Sequence, residues 1–179
     1  GTLKDDTAVV TVMSNLGFFE FARTNGFETD ITKVGDRYVL ESMVENGFNL
    51  GGEQSGHIFL HDYMTRGDGH LAGAMLLKIL KASGKKASEL AKVMTVYPQV
   101  LKNVTVPNML KTTVMNDKEV KEITAKWQET LGDDGRILVR PSGTEPLVRV
   151  MVEGKDTGEI ENCATEISEM IVTRLKACE

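Results

Sequence analysis

Two glycine-closed helical stretches, each preceded by a β-branched run, constrain this chain more than any other feature. Ala8–Met13 reads as a short strand stopped at Ser14-Asn15, and Leu16–Thr24 carries apolar residues at helical spacing before Asn25-Gly26. Glu28–Val34 then reads as a strand, and Asp36 is placed to cap a helix carrying Tyr38, Val39 and Met43 up to Asn46-Gly47. A short strand near Asn49–Leu50, a glycine-rich turn, a strand at His57–His61 and a helix from Asp68 to about Ser83 follow. That helix is apolar on most sides, which predicts burial between layers. A further helix is expected over Lys86–Val96, broken at Tyr97-Pro98 because proline disfavours helix in the residue before it. Strand–helix repeats of this kind predict a layered α/β domain, and the expected architecture over residues 1–97 is an α/β/α domain with a mixed sheet.

Beyond Pro98 the pattern changes. Strand Val100–Val106, helix Asp117–Leu131, strands Arg136–Arg140 and Val148–Val152, and helix Thr157–Ala177 give a β-α-β-β-α order. Val120, Ile123, Trp127 and Leu131 form one helical stripe; Ile160, Cys163, Ile167, Ile171 and Leu175 form another. One buried face per helix predicts a small two-layer α+β domain over residues 98–179.

Composition narrows the partners. With 41% hydrophobic residues in 179, a real core is expected, and disorder, collagen and fibre are excluded. The net charge of −5 is spread over both halves, which argues against a whole-surface field for nucleic acid or an anionic membrane, so any anion site must be local. The longest apolar run, Leu71–Leu77, is far short of the roughly 20 residues of a membrane span. Cys163 and Cys178 lie on one expected helix, roughly 22 Å apart at 1.5 Å per residue, too far to pair with each other. Unpaired cysteines and the lack of an export-signal pattern point to a reducing cytoplasm. The chain opens on Gly1 rather than Met, and the expectation is a piece of something longer.

Two loops carry candidate chemistry. In Arg140-Pro141-Ser142-Gly143-Thr144-Glu145-Pro146, with Arg149 beyond, Gly143 permits a positive φ and the amides of residues 142 to 144 are placed to form an anion-binding concavity. The Ser142 and Thr144 hydroxyls add donors, and Arg140 and Arg149 supply planar forks for phosphate. The same residues also suit a plain hairpin turn. In Gly51-Gly52-Glu53-Gln54-Ser55-Gly56-His57, three glycines flank a carboxylate, an amide and a hydroxyl, a set suited to sugar hydroxyls. A tight hairpin with Glu53 in solvent is the other reading of that stretch.

Other constellations carry less. His57 and His61 on one strand would stand roughly 13 Å apart, which is no zinc geometry. Asp62 and Asp68 read as turn and cap residues, and Gly84-Lys85-Lys86 lacks the upstream glycine of a triphosphate loop. No nucleophile with an orienting base stands out, so no catalytic residue and no metal ligand is expected within these residues.

Taken together and in this order, Gly51–His57 and Arg140–Arg149 resemble the α-D-phosphohexomutase superfamily. Thr11–Gly17 and Val34–Val39 are similar in particular to its bacterial phosphoglucosamine mutase branch. The resemblance implies most of the third and all of the fourth of four domains. It implies that Glu53 and Ser55 hold hexose hydroxyls, and that Arg140, Ser142, Gly143, Thr144 and Arg149 grip the phosphate not being transferred. Arg37 either faces the cleft or pairs with Asp36 or Glu41 on its own helix. The phosphorylated serine and the magnesium-binding acidic loop of the superfamily belong to the first two domains, and no segment here matches them. The implied parent is a cytoplasmic, Mg2+-dependent isomerase and phosphoprotein of cell-wall precursor synthesis. It would interconvert glucosamine 6-phosphate and glucosamine 1-phosphate through a bisphosphorylated sugar. A phosphoglucomutase or phosphomannomutase, or a non-catalytic phosphosugar-binding module, are the alternatives.

Overall fold

The computed structural model describes residues 2–177. They form two compact units, one ending at Val96 and the other beginning at Tyr97.

In the first unit, β1 (Thr7–Thr11), α1 (Leu16–Asn25), β2 (Glu28–Thr32), α2 (Asp36–Asn46), β3 (Leu50–Gly52), β4 (Ile58–Leu60), α3 (Gly69–Ser83) and a single turn α4 (Ala87–Leu90) follow one another. The sheet order is β2-β1-β3-β4, with β1 parallel to β2 and β3, and β4 antiparallel to β3. Gly26 and Gly47 end α1 and α2 in the left-handed region that glycine adopts without a Cβ penalty. All five β1 residues are buried, as befits the central strand. Val9 packs with Val39, Met43 and Phe59 on one face. Ala8 looks to the other, where Phe27 meets Phe18 and Phe21 edge-on at centroid distances of 6.0 and 5.8 Å, and Phe18 and Phe21 are tilted to each other at 6.5 Å. A layered mixed-sheet α/β unit is therefore present.

Two expectations change. Helix α3 carries no buried residue, and Leu77 is 67% exposed. A helix apolar all round needs partners on two sides; here a cavity of about 690 Å³ lined by Ala8, Leu60, Met75 and Ile79 lies beside its inner face, and its outer face is uncovered among the described residues. The helix expected over Lys86–Val96 is only Ala87–Leu90. The β-branched Val93, Thr95 and Val96 that follow crowd the preceding turn of a helix and lose rotamer freedom there.

The second unit has β5 (Gln99–Thr105), a six-residue α5 (Lys111–Asn116), α6 (Lys118–Leu131), β6 (Gly135–Pro141), β7 (Leu147–Gly154) and α7 (Thr157–Lys176). Its antiparallel sheet runs β5-β7-β6. Val148, Val150 and Val152 alternate along the central strand and meet Val120, Leu131, Ile160, Ile167 and Ile171 from the helices. Fully burying each such side chain contributes about 1.5–3 kcal/mol, so this face holds the two-layer unit together. Asp117 Oδ1 caps α6 by accepting from the Glu119 and Val120 amides, and Arg174 of α7 donates to Asp117 Oδ2 at 2.9 Å. The opposite end is pinned by Glu153, fully buried and paired with Arg136 Nε at 2.6 Å. Helix α5 is too short to show a hydrophobic period and has no counterpart in the sequence reading.

Cys163 is buried in the α7 face and is a free thiol; Cys178 lies outside the described residues, and so does the expected spacing between them. Burial, with Glu166 and Glu159 nearby, pushes the Cys163 thiol up to about 12. At pH 8 it is therefore protonated, and iodoacetamide should leave the Cys163 peptide unmodified in the folded chain yet label it in guanidinium. Labelling of that peptide without denaturant, read by peptide mass spectrometry, would disprove the buried placement.

Candidate functional site

The first candidate loop leaves the carboxyl end of β3, on the side where the parallel strands β1, β2 and β3 all end and where ligands of open α/β folds bind. The Glu53 amide donates to the His57 carbonyl at 2.9 Å, closing a tight turn in which Gly56 takes φ +100°. Glu53 is not in solvent: its side chain is 8% exposed. Its Oε1 accepts from the Gly35 amide at 2.8 Å and its Oε2 from Ser55 Oγ at 2.9 Å. Ser55 Oγ also lies 3.0 Å from His57 Nδ1. Glu53, Ser55 and His57 are thus one hydrogen-bonded cluster, with Ser55 and His57 exposed and Glu53 anchoring it to the start of α2. Glu53, Gln54 and His57 line a cavity of about 340 Å³ with Ser14, Asn15, Phe18 and Met94. Its lining is mostly apolar, with the polar groups of Ser14, Asn15, Glu53, Gln54 and His57 at a few points.

The sequence assigns His57 no role in the loop chemistry, yet it belongs to this cluster; its spacing of two from Ser55 is the signal that locates it. Arg37 stands apart. It is exposed, donates from Nε to Glu41 Oε1 at 2.7 Å, and lies over the Tyr38 ring at 5.8 Å. The hydrogen bond to Glu41 raises its pKa above the ordinary arginine value.

The second loop joins β6 to β7, and the strand register sets Arg140 directly opposite Arg149. Like charges on adjacent strands destabilise unless an anion joins them. Burial, and secondarily Arg149, pulls the Arg140 pKa below its ordinary value, and among the described residues Arg140 has no acidic partner. Arg149 reaches Glu145 Oε2 through Nη2 at 2.5 Å, while its Nε is buried without a partner.

Within the loop the expected concavity is narrower than the sequence suggests. The Ser142 amide is spent on the Leu147 carbonyl at 2.9 Å, extending the β6–β7 pairing. Ser142 Oγ accepts from the Glu145 amide at 3.2 Å, and Ser142 is buried. The amides left for an anion are those of Gly143 and Thr144, two exposed residues. Gly143 does not take a positive φ, so its lack of a side chain opens space rather than a conformation. Lys111 of α5, absent from the sequence reading, donates from Nζ to the Ser142 carbonyl at 2.7 Å and the Glu145 carbonyl at 2.6 Å.

No group of three or more His, Cys, Asp or Glu placed to hold a metal exists among the described residues. Asp68 caps α3 through the Leu71 amide at 2.8 Å, and Asp62 accepts from Asn49 at 2.6 Å. No described helix is long and apolar enough to cross a membrane.

A mixed-sheet layered unit followed by a two-layer unit with an arginine-flanked loop defines two consecutive domains of an α/β protein. Residues 1–97 match the α/β/α domain III of phosphoglucomutase/phosphomannomutase and residues 101–170 match its C-terminal domain, so the chain belongs to this phosphohexomutase family. It is 53% identical to a phosphoglucosamine mutase of Caldicellulosiruptor saccharolyticus over 98% of this chain and 39% of that protein. One from Clostridioides difficile is 50% identical over 97% and 39%. The chain thus spans about two-fifths of the length of these relatives. The fold resembles the solved N-acetylphosphoglucosamine mutase of Aspergillus fumigatus, with a TM-score of 0.79 at 19% identity over 94% of this chain and 38% of that one. A structure of the same fungal enzyme was solved with GlcNAc-6P and magnesium, with a TM-score of 0.76 at 19% identity over 94% of this chain and 39% of that one.

Proposed function

We propose that this chain is the sugar-reading and phosphate-holding part of a phosphoglucosamine mutase, one that interconverts glucosamine 6-phosphate and glucosamine 1-phosphate in the cytoplasm. Glu53 and Ser55 hold hexose hydroxyls, and Arg140, Ser142, Gly143, Thr144 and Arg149 hold the phosphate that stays on the sugar. One observation carries the reading: two arginines meet across β6–β7, one with no acidic partner and the other with a buried unpartnered Nε, beside two amides left without partners. That arrangement favours a doubly charged oxyanion, because each charge-assisted hydrogen bond to it contributes about 1.5–3 kcal/mol.

In phosphoryl transfer the protein's share is mostly positioning and charge stabilisation. The parent reaction runs through a phosphoserine and a bisphosphorylated sugar, and donors spread over arginine forks and amides tolerate either end of that sugar. By resemblance to the superfamily, the phosphoserine and the Mg2+ ligands belong to the first two domains of the parent rather than to these residues. The chain alone is therefore expected to bind and not to turn over.

An NMR titration of the 179-residue chain with glucosamine 6-phosphate, glucose 6-phosphate and inorganic phosphate tests this. Amide shifts at Gly143 and Thr144 with all three, and at Glu53 and Ser55 with the two sugars only, are expected. Absence of shifts at millimolar ligand in the folded chain would sink the reading; turnover of glucosamine 6-phosphate by the chain alone would overturn the assignment of the serine to other residues.

A further inference from the structure

We infer that Lys111 is a positioning residue for the phosphate loop, an assignment that rests on the phosphate reading above. Its ammonium bridges two carbonyls, of Ser142 and Glu145, that flank Gly143 and Thr144. In a trans peptide the C=O and the next N–H point in opposite directions, and this chain has no cis bonds. Holding the Ser142 carbonyl toward Lys111 therefore turns the Gly143 N–H away from it, outward from the loop. The second bond fixes the far end, so the segment between them cannot rotate its amides inward without breaking a charge-assisted bond. Lys111 is itself half-buried at the start of α5, and Val114 one turn later is fully buried in the core of the unit. The core thus dictates where the ammonium stands, and the ammonium dictates where the amides point. Lys111 also adds positive charge behind the loop, but no part of it need touch the ligand.

The test is the Kd for inorganic phosphate of the full 179-residue chain and of Lys111→Met, with Lys118→Met as a control that removes the same charge from a side chain 85% exposed. Loss of two charge-assisted bonds that order the loop should weaken phosphate binding about tenfold or more in Lys111→Met, against less than about twofold in the control. The apo spectrum separates positioning from mere charge: the Gly143 and Thr144 amide signals should move in Lys111→Met before any phosphate is added, with Val150 and Val152 unmoved. Should Lys111→Met not fold, Lys111→Gln, which keeps a donor for one carbonyl, is expected to fold, to bind phosphate more weakly than the parent chain and to show moved Gly143 and Thr144 signals. Phosphate binding by the parent chain with unchanged affinity and unmoved Gly143 in either variant overturns the role of Lys111 alone. No phosphate binding by the parent chain overturns the phosphate reading and this inference with it. Unfolding of both variants would make Lys111 a fold-holding residue and would equally overturn it.

Discussion

Arg140→Ala should abolish most of the affinity for phosphate without lowering the stability of the ligand-free chain. The two effects have one cause. Arg140 faces Arg149 across the β6–β7 ladder, half-buried and with no acidic partner among the described residues, so in the empty state its charge is an electrostatic cost. Removing it relieves Arg149 and leaves Glu145 to neutralise that residue alone. When phosphate binds, the same guanidinium supplies up to two charge-assisted bonds, and losing about 1.5–3 kcal/mol corresponds to about a 10- to 150-fold rise in Kd. Calorimetric titration with inorganic phosphate and a thermal melt of the apo chain read the two quantities separately. A residue retained for structure would show the reverse signs. A melting temperature several degrees lower, with phosphate affinity unchanged, would remove Arg140 from the site.

How far this arrangement was legible beforehand depends on the reach of each interaction. The paired arginines follow from strand alternation and a turn of fixed length, both local, so Arg140 and Arg149 are readable from residues 135–154 alone. Lys111 lies 31 residues from Ser142, and no periodic or turn signal links them; only the packing of α5 through Val114 brings them together. Glu53 shows the same limit. Its spacing marks the loop, but its burial comes from the Gly35 amide, 18 residues away. Helix α3 illustrates the opposite case. Its apolar residues predict burial that the fold does not provide, because composition tells how many sides want covering and not whether covering residues are at hand. The long elements of both units, α5 apart, are legible because each rests on periodicity within about 20 residues, whereas strand direction depends on pairings such as Val9 with Gly51 that no local period encodes.

The glycines of the Gly51–His57 loop divide in a way the sequence could not foresee, and the division leads to a strong destabilisation. Read as a ligand loop, all three glycines serve close approach of a substrate. In the fold, Gly56 supplies a positive φ, whereas Gly51 does not and is instead fixed by what surrounds it. A Cβ on Gly51 would lie 2.5 Å from Met43 Sδ, 2.8 Å from Val39 Cγ1 and 3.3 Å from the Val9 carbonyl oxygen. Met43 is flexible enough to withdraw, but Val39 is β-branched with one favoured rotamer in a helix, and the Val9 carbonyl belongs to the central strand. Gly51→Val therefore has to push α2 off the sheet at the pair that joins β1 to β3. Overpacking of this kind costs typically 1–3 kcal/mol, and with two fully buried neighbours and a backbone atom in the way about 3 kcal/mol is expected. The only tryptophan, Trp127, belongs to α6 in the second unit, so its fluorescence is a poor probe here. Amide hydrogen exchange of β1 reads the effect directly, and the expected cost corresponds to about 150-fold faster exchange there. Gly56→Ala, at a position with nothing within 4 Å, should cost only the left-handed backbone strain of about 1–2 kcal/mol and leave β1 protected. Unchanged β1 exchange in Gly51→Val would mean that Met43 and Val39 can yield, and the glycine would then have to be explained from the ligand side of the loop after all.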